Sequence, residues 1–329
     1  MKILHILNSG SWGGAEKMVS RLLHLFNEEE LAVLCLKGEL TSYFEERGII
    51  VFQVDKLNIL SIINSCRIFK PNIVHAHDFR ATIFVQFCCH NVRIISHIHQ
   101  NPEWLYKYRI MVVIYDYIFS RNTEYVTVSE GVKLNVERRQ VIPNFVEDLT
   151  MRDCAEGKRY LLGYFGRLES EKNPLLFIDL VNECRQRVPH VKAVICGKGS
   201  YETEIKRRIE YLNLSRFIDF RGYVENVNEY YCDTKFVVNT SPREGFGLSS
   251  VEAASIGVPT FYVQNSGLNQ ILGDIQRDFE YSSINEFLEK LRLVSSDEVY
   301  IEKSRGLKTF VKKFNAAQAY QNWAGLYRE

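Results

Sequence analysis

The sequence predicts an α/β protein made of two doubly wound domains in tandem. Three observations lead there. Short, almost wholly apolar runs recur along the chain, longer amphipathic stretches separate them, and the alternation stops at one polar segment before starting again. Near-continuous apolarity is what parallel strands covered on both faces require, and the stretches between them are the crossover helices that cover them.

Taken in order, KILHIL (2–7), LAVLCL (31–36), IIVFQV (49–54), NIVHAH (72–77), RIISHI (93–98) and YVTV (125–128) read as strands of the first domain. AEKMVSRLLHLF (15–26) and ATIFVQFCCH (81–90) read as helices between them. In VIPNF, Pro143 closes a further strand, and the polar EDLTMRDCAEGKR (147–159) is the break. The strands then resume with YLLGYFG (160–166), VKAVICG (191–197), FIDF (217–220), KFVVN (235–239) and PTFYV (259–263). The expected domains are 1–150 and 158–311, with a linker near 147–158. Ligands of such sheets bind outside the carboxyl ends of the strands, so two facing sheets predict a site in the cleft between domains.

Composition narrows the function. The 329 residues are 46% hydrophobic and 25% charged, with a net charge of +1, so a wholesale nucleic-acid binder is disfavoured. Eight cysteines include no Cys-x-x-Cys pair, and several sit in apolar runs. They read as small buried residues of a reducing compartment, not a zinc site or disulfide framework. MKILHILNSGSWGG lacks the apolar core and cleavage site of a signal peptide. IMVVIYDYIF (110–119) contains Asp116 and is too short to cross a bilayer. The expected location is the cytoplasm. Trp104, Tyr106, Lys107, Tyr108 and Arg109 beside that run suit peripheral contact with a membrane through about 101–119, although a buried interdomain helix with one wet end explains them somewhat better.

The chemistry gathers at strand ends. Gly13-Gly14-Ala15-Glu16 follows the first strand, where glycine lets backbone approach a ligand and a helix N-terminus favours anions. His75/His77 and His97/His99 are two His-x-His pairs, each on one face of its strand. Such pairs chelate metal in barrel hydrolases, but this chain has too few strand–helix units for a barrel, so no metal is expected. His75 and His97 read as core residues, and His77 and His99 as strand-end residues facing the cleft. Gly166 and Arg167, with Lys172 five residues on, make a plausible diphosphate cradle, and Gly197-Lys198-Gly199 repeats the demand for small residues. The densest signal is SPREGFGLSSVEAASIGVP (241–259). Gly245 and Gly247 allow a tight turn, and a helix starting near Leu248 or Ser249 offers free N–H groups to phosphate. Glu252 suits ribose hydroxyls. Glu244 suits sugar hydroxyls or a developing positive charge. Either acid alone would read as a solvated surface group.

With those motifs in place, the chain resembles a retaining GT-B fold glycosyltransferase of family 4. Glu244 and Glu252 match that family's E-x7-E stretch, and GGAE, RIISHIHQ, VTVSEGV, VIPN, GRLESEKN, ICGKGS and FRGYVENV follow in the family's order. The resemblance implies two facing Rossmann-like domains and sugar transfer from a nucleotide-diphosphate sugar with retained configuration. It implies neither metal nor cofactor, and a UDP-sugar in preference to a GDP-sugar. The acceptor would be a glycan or lipid-linked chain of bacterial capsule, exopolysaccharide or lipopolysaccharide. By motif position, Arg167 and Lys172 would hold the diphosphate beside Gly166 and Gly197, and Glu252 the ribose. Glu244 with the amides of Gly245, Phe246, Gly247 and Leu248 would hold the sugar and phosphates. Gly14 would approach from the first domain, His99 would lie near the sugar with His97 as runner-up, and the base would lie near Val224. The last helix, about 312–329, would cross back onto the first domain through Phe314, Tyr320, Trp323 and Leu326. Asn269 and Gln270 depart from the usual Pro and Glu, which bears on donor-sugar specificity. The alternatives are a sugar-nucleotide-binding protein of this fold without transferase activity and a nucleotide-sugar epimerase.

Overall fold

The computed structural model describes residues 1–89, 91–100, 123–132, 139–147, 157–264 and 267–329. The stretch 101–119 and most of the expected linker lie outside them. The chain divides into two compact units, Met1–Phe145 with Ala316–Glu329, and Val146–Asn315.

The first unit is a seven-stranded parallel sheet in the order β3-β2-β1-β4-β5-β6-β7. Its strands are β1 (Lys2–Leu7), β2 (Glu30–Leu36), β3 (Ile50–Val54), β4 (Ile73–His77), β5 (Arg93–Ile98), β6 (Thr123–Thr127) and β7 (Arg139–Val141). Alternation along β1 sends Ile3, His5 and Leu7 to one face and Leu4 and Ile6 to the other. The first face packs on α1 (Gly14–Leu25), through Met18, Val19, Leu22 and Leu23, and on the C-terminal α12 (Ala316–Arg328), through Ala319, Trp323 and Tyr327. The second packs on α3 (Ile59–Phe69) and α4 (Phe79–Cys88) through Ile62, Phe69, Ala81 and Val85. A short helix, α2 (Glu39–Glu45), follows β2. Burial on both faces is why these strands are nearly all apolar.

The C-terminal helix is anchored by charge as well as packing. Arg93 donates to both oxygens of Glu124 at 2.7 Å and to the carbonyls of Leu326 and Tyr327. The last carbonyls of α12 have no partner within the helix, so a guanidinium there satisfies them and opposes the helix dipole. Phe314 is not part of this packing. It lies in a 3₁₀ turn of the second unit, edge-on to Phe246.

The second unit is a six-stranded parallel sheet, β10-β9-β8-β11-β12-β13. Its strands are β8 (Tyr160–Phe165), β9 (Ala193–Cys196), β10 (Ile218–Gly222), β11 (Thr234–Asn239), β12 (Thr260–Val263) and β13 (Glu280–Tyr281). The helices are α5 (Pro174–Arg187), α6 (Glu202–Tyr211), α7 (Val227–Cys232), α8 (Leu248–Ser255), α9 (Leu268–Gln276), α10 (Ile284–Val294) and α11 (Asp297–Phe310). In each sheet the first strand is flanked by the second and by a later one. The strand order therefore reverses between β1 and β4, and between β8 and β11, and such switch points open a crevice at the carboxyl ends of the strands.

Cys35, Cys66, Cys88, Cys89, Cys184 and Cys196 are free thiols. Cys232 is disulfide-bonded, which corrects the expectation that every cysteine is reduced.

Candidate functional site

At the β8/β11 switch point, a 3₁₀ turn, Ser170–Lys172, leaves β8 and is tied to the loop after β11. Thr240 Oγ1 donates to the Lys172 carbonyl at 2.7 Å, and Ser241 Oγ donates to the Glu171 carbonyl at 3.1 Å. That tether sets Lys172 Nζ on both carboxylate oxygens of Glu244, at 3.1 and 2.8 Å. The two side chains are only 19% and 12% exposed, so the pair is poorly screened by water. Asn239 Nδ2 reaches Glu244 Oε2 and Ser250 Oγ, each at 3.4 Å, joining the pair to the first turn of α8.

Backbone geometry brings the rest of the loop close. Gly247 caps α8 with φ +73°, a left-handed conformation that favours glycine, and a Cβ there would lie 2.3 Å from Leu268 Cδ2. A Cβ on Gly267 would lie 1.7 Å from the Glu244 carbonyl oxygen, so this glycine lets α9 begin against the Glu244 loop. On the other side of β8, a Cβ on Gly197 would lie 1.9 Å from the Gly166 carbonyl oxygen, and the Gly197 amide donates to the Gly222 carbonyl at 2.7 Å. The carboxyl ends of β8, β9 and β10 are thereby drawn together with nothing larger than hydrogen between them.

Most residues singled out from sequence converge on this rim, each in a distinct state. Arg167 is held by the Tyr164 hydroxyl, which donates to its carbonyl at 2.8 Å. Its guanidinium pairs with Glu171 at 2.8 Å, with both side chains about two-fifths exposed. An exposed pair of this kind is worth under about 1 kcal/mol, so the guanidinium is readily lent to another anion. The expected two-cation cradle thus has each cation on a carboxylate of its own. Gly245, Phe246 and Gly247 are buried and Leu248 is half-buried. The Phe246 ring points into the core, edge-on to Phe314 at 5.2 Å, so this residue offers the site backbone only. Glu252, 4% exposed, accepts from the Tyr231 hydroxyl at 3.3 Å. Val224 is partly buried against the core cluster that includes Tyr160, Phe165 and Tyr231.

Gly14 and His99 belong to the first unit. Gly14 opens α1, and a Cβ there would meet nothing within 4 Å, so local packing gives no reason for glycine. His99 follows β5 and joins a row of buried imidazoles across the β1/β4 switch point. His5 pairs in register with His75, and His77 with His97. His5 Nδ1 lies 2.9 Å from His77 Nε2, His77 Nδ1 lies 3.4 Å from His99 Nε2, and His75 Nδ1 lies 2.8 Å from the Tyr327 hydroxyl. Burial pushes the His5 and His99 imidazoles down to about 3 and holds those of His75, His77 and His97 well below the usual range. The sequence reading missed His5, one of a lone pair of polar letters in KILHIL, and missed Asn239, Thr240, Ser241 and Gly267. Asn239 carried a signal, a polar residue ending an apolar strand. Gly267 carried none, because its role depends on contact with Glu244.

The two parallel sheets, of seven and six strands, have the GT-B architecture. More particularly, residues 151–314 match the family described as "Glycosyl transferases group 1". Among curated proteins, the chain is 27% identical over 200 residues to the poly(ribitol-phosphate) alpha-N-acetylglucosaminyltransferase of Staphylococcus aureus (strain COL), covering 59% of this chain and 40% of that one. It is 26% identical over 173 residues to the poly(glycerol-phosphate) alpha-glucosyltransferase of Bacillus subtilis (strain 168), covering 51% of this chain and 25% of that one. The chain thus spans less than half the length of these relatives. Among solved structures, Anabaena HepE in complex with UDP and glucose superposes with a TM-score of 0.85 at 17% identity, over the whole of both chains. At that identity the likeness concerns the fold alone.

Proposed function

We propose that this protein is a retaining glycosyltransferase that moves a sugar from a nucleotide-diphosphate sugar, a UDP-sugar in preference to a GDP-sugar, onto a glycan or lipid-linked acceptor of bacterial surface polysaccharide. The observation that carries the reading is the Lys172–Glu244 pair, strung between the ends of β8 and β11 beside the N-terminus of α8. In that arrangement an incoming diphosphate exchanges with Glu244 for Lys172. Arg167 turns from Glu171 to the same phosphates, and the amides of Leu248 and Ser249 at the N-terminus of α8 add positive potential. Glu244, released from its cation, accepts from sugar hydroxyls and steadies the positive charge growing at the anomeric carbon. Glu252 accepts from the ribose. The acceptor hydroxyl attacks from the side of the departing phosphate, whose oxygen takes the proton, so no protein nucleophile is needed. The fixed cations take the part a metal plays elsewhere, so the transfer step is metal-independent. The group 1 match and the sugar transfer named for the two relatives support this reading. The protein works in the cytoplasm, at the inner face of the membrane where a lipid-linked acceptor lies.

The test is to incubate purified protein with UDP-glucose, UDP-N-acetylglucosamine and GDP-mannose, with and without glycan and polyprenyl-diphosphate-sugar acceptors. Acceptor-dependent release of UDP, an α-linked product by NMR, and loss of both in Glu244→Gln are expected. Tight sugar-nucleotide binding without turnover on any acceptor would favour the binding-protein alternative.

A further inference from the structure

We propose that His77, His97 and His99 form a binding site for a borderline divalent metal ion of the zinc class, built on the sheet of the first unit. The sequence disfavoured metal because no barrel surrounds the His-x-His pairs. The parallel sheet supplies a different frame. His77 and His97 are register partners on β4 and β5, and His99 sits two residues beyond on the same face, so three imidazoles converge at one strand end. Their ligand atoms all lie within 4.8 Å of one another.

The spacing suits a metal better than a hydrogen bond. The 3.4 Å between His77 Nδ1 and His99 Nε2 is long for a hydrogen bond. It matches the edge of a tetrahedron with metal–nitrogen bonds of about 2.0–2.1 Å, which is about 3.3 Å. His97 supplies the third position. It is fully buried, its ring lies 4.0 Å centroid to centroid from that of His99, and among the described residues neither of its nitrogens has a partner. Leaving polar ring atoms buried and unpaired is unfavourable, and a metal bond removes that cost.

The surroundings are those of ligands and not of core residues. His77 Nε2 lies 2.9 Å from His5 Nδ1, and in the tautomer where Nε2 is the donor of that bond the Nδ1 lone pair is directed at the site. A ligating histidine held through its other ring nitrogen is the usual support of a metal site. His99 is the partly exposed member and gives an ion a way in. Neutral imidazole is the form that binds metal. Three nitrogen donors with no carboxylate among them select zinc, cobalt, nickel or copper over magnesium and calcium, and leave the fourth position open.

The experiment uses full-length protein stripped with chelator, re-equilibrated with one equivalent of Zn²⁺ or Co²⁺ and desalted. Metal content is measured by mass spectrometry, Co²⁺ geometry by visible absorption, and stability by thermal unfolding. One retained ion per chain, tetrahedral Co²⁺ bands and a rise in Tm with Zn²⁺ are expected. His77→Gln and His97→Gln should each weaken binding by at least about 100-fold, His5→Gln by about 10–100-fold through loss of the supporting bond, and the exposed His190→Gln not at all. No retained ion, or equal retention in wild type, His77→Gln and His97→Gln, would overturn the site. Should both variants fail to fold, X-ray absorption of the wild-type Co²⁺ protein decides: three imidazole nitrogens support the site, and an all-oxygen shell refutes it.

Discussion

Lys172→Met isolates the ion pair at the centre of the candidate site. At 2.8 Å and an effective dielectric of about 20, the gross attraction between Lys172 and Glu244 is about 6 kcal/mol. Most of it is offset by stripping water from two ions that are 19% and 12% exposed, so the intact pair adds little net stability. Removing the lysine alone is different. The Glu244 carboxylate is then left in a poorly hydrated position, with Asn239 at 3.4 Å as its remaining hydrogen-bond partner among the described residues. A fully buried orphan costs about 3–5 kcal/mol, and the remaining exposure puts this one near 2–3 kcal/mol. Glu244→Gln removes the charge that would be orphaned, so the double variant should regain most of that loss, with a coupling of about 1–2 kcal/mol. The assay is urea unfolding of the four proteins followed by fluorescence. Strictly additive losses would refute the claim that this pair is a coupled unit.

Other perturbations test other links. Gly247→Ala forces an L-residue to φ +73° and drives its Cβ to 2.3 Å from Leu268, so a loss of about 2–3 kcal/mol is expected, read as a lower urea midpoint at unchanged slope. An unchanged midpoint would mean the turn is free to relax. Trp323→Ala empties a site that is 1% exposed between α12 and the histidine row, and should cost about 3–5 kcal/mol by thermal unfolding; a loss under about 1 kcal/mol would show that α12 is not part of the first unit's core. Burial pushes the Cys184 thiol up to about 11 and that of Cys196 up to about 12, so both should resist iodoacetamide at pH 8 in the native protein and react once it is unfolded; mass spectrometry reads the difference.

The elements that were legible in the sequence are those whose two faces are both covered. β1, β4, β5 and β11 announce themselves because burial on both sides demands apolar residues throughout. β13, two residues long at a sheet edge, has no such demand on it and left no trace. The turn into α8 was legible because Gly245 and Gly247 stand next to a strand end, and the helix begins at Leu248 as the pattern suggested. The pairing of Lys172 with Glu244 was not. Separated by 72 positions, they meet only because β8 and β11 are neighbours and because Thr240 and Ser241 hold the intervening turn. Sequence showed two cations and an acid on strand ends, and it took the sheet order to show which cation the acid holds. The histidines illustrate the same limit. Each His-x-His pair was visible along its own strand, but His5 joins them only across the β1–β4 ladder.

The most direct test of the central claim is calorimetric titration of the protein and of Arg167→Ala and Lys172→Met with UDP, GDP, ADP and CMP. Micromolar binding of UDP, weaker binding of GDP, and at least about a tenfold loss in each variant are expected, since each variant removes a charge-assisted contact to phosphate worth about 1.5–3 kcal/mol. Equal affinity in wild type and both variants, or no binding of any nucleoside diphosphate, would contradict the central claim.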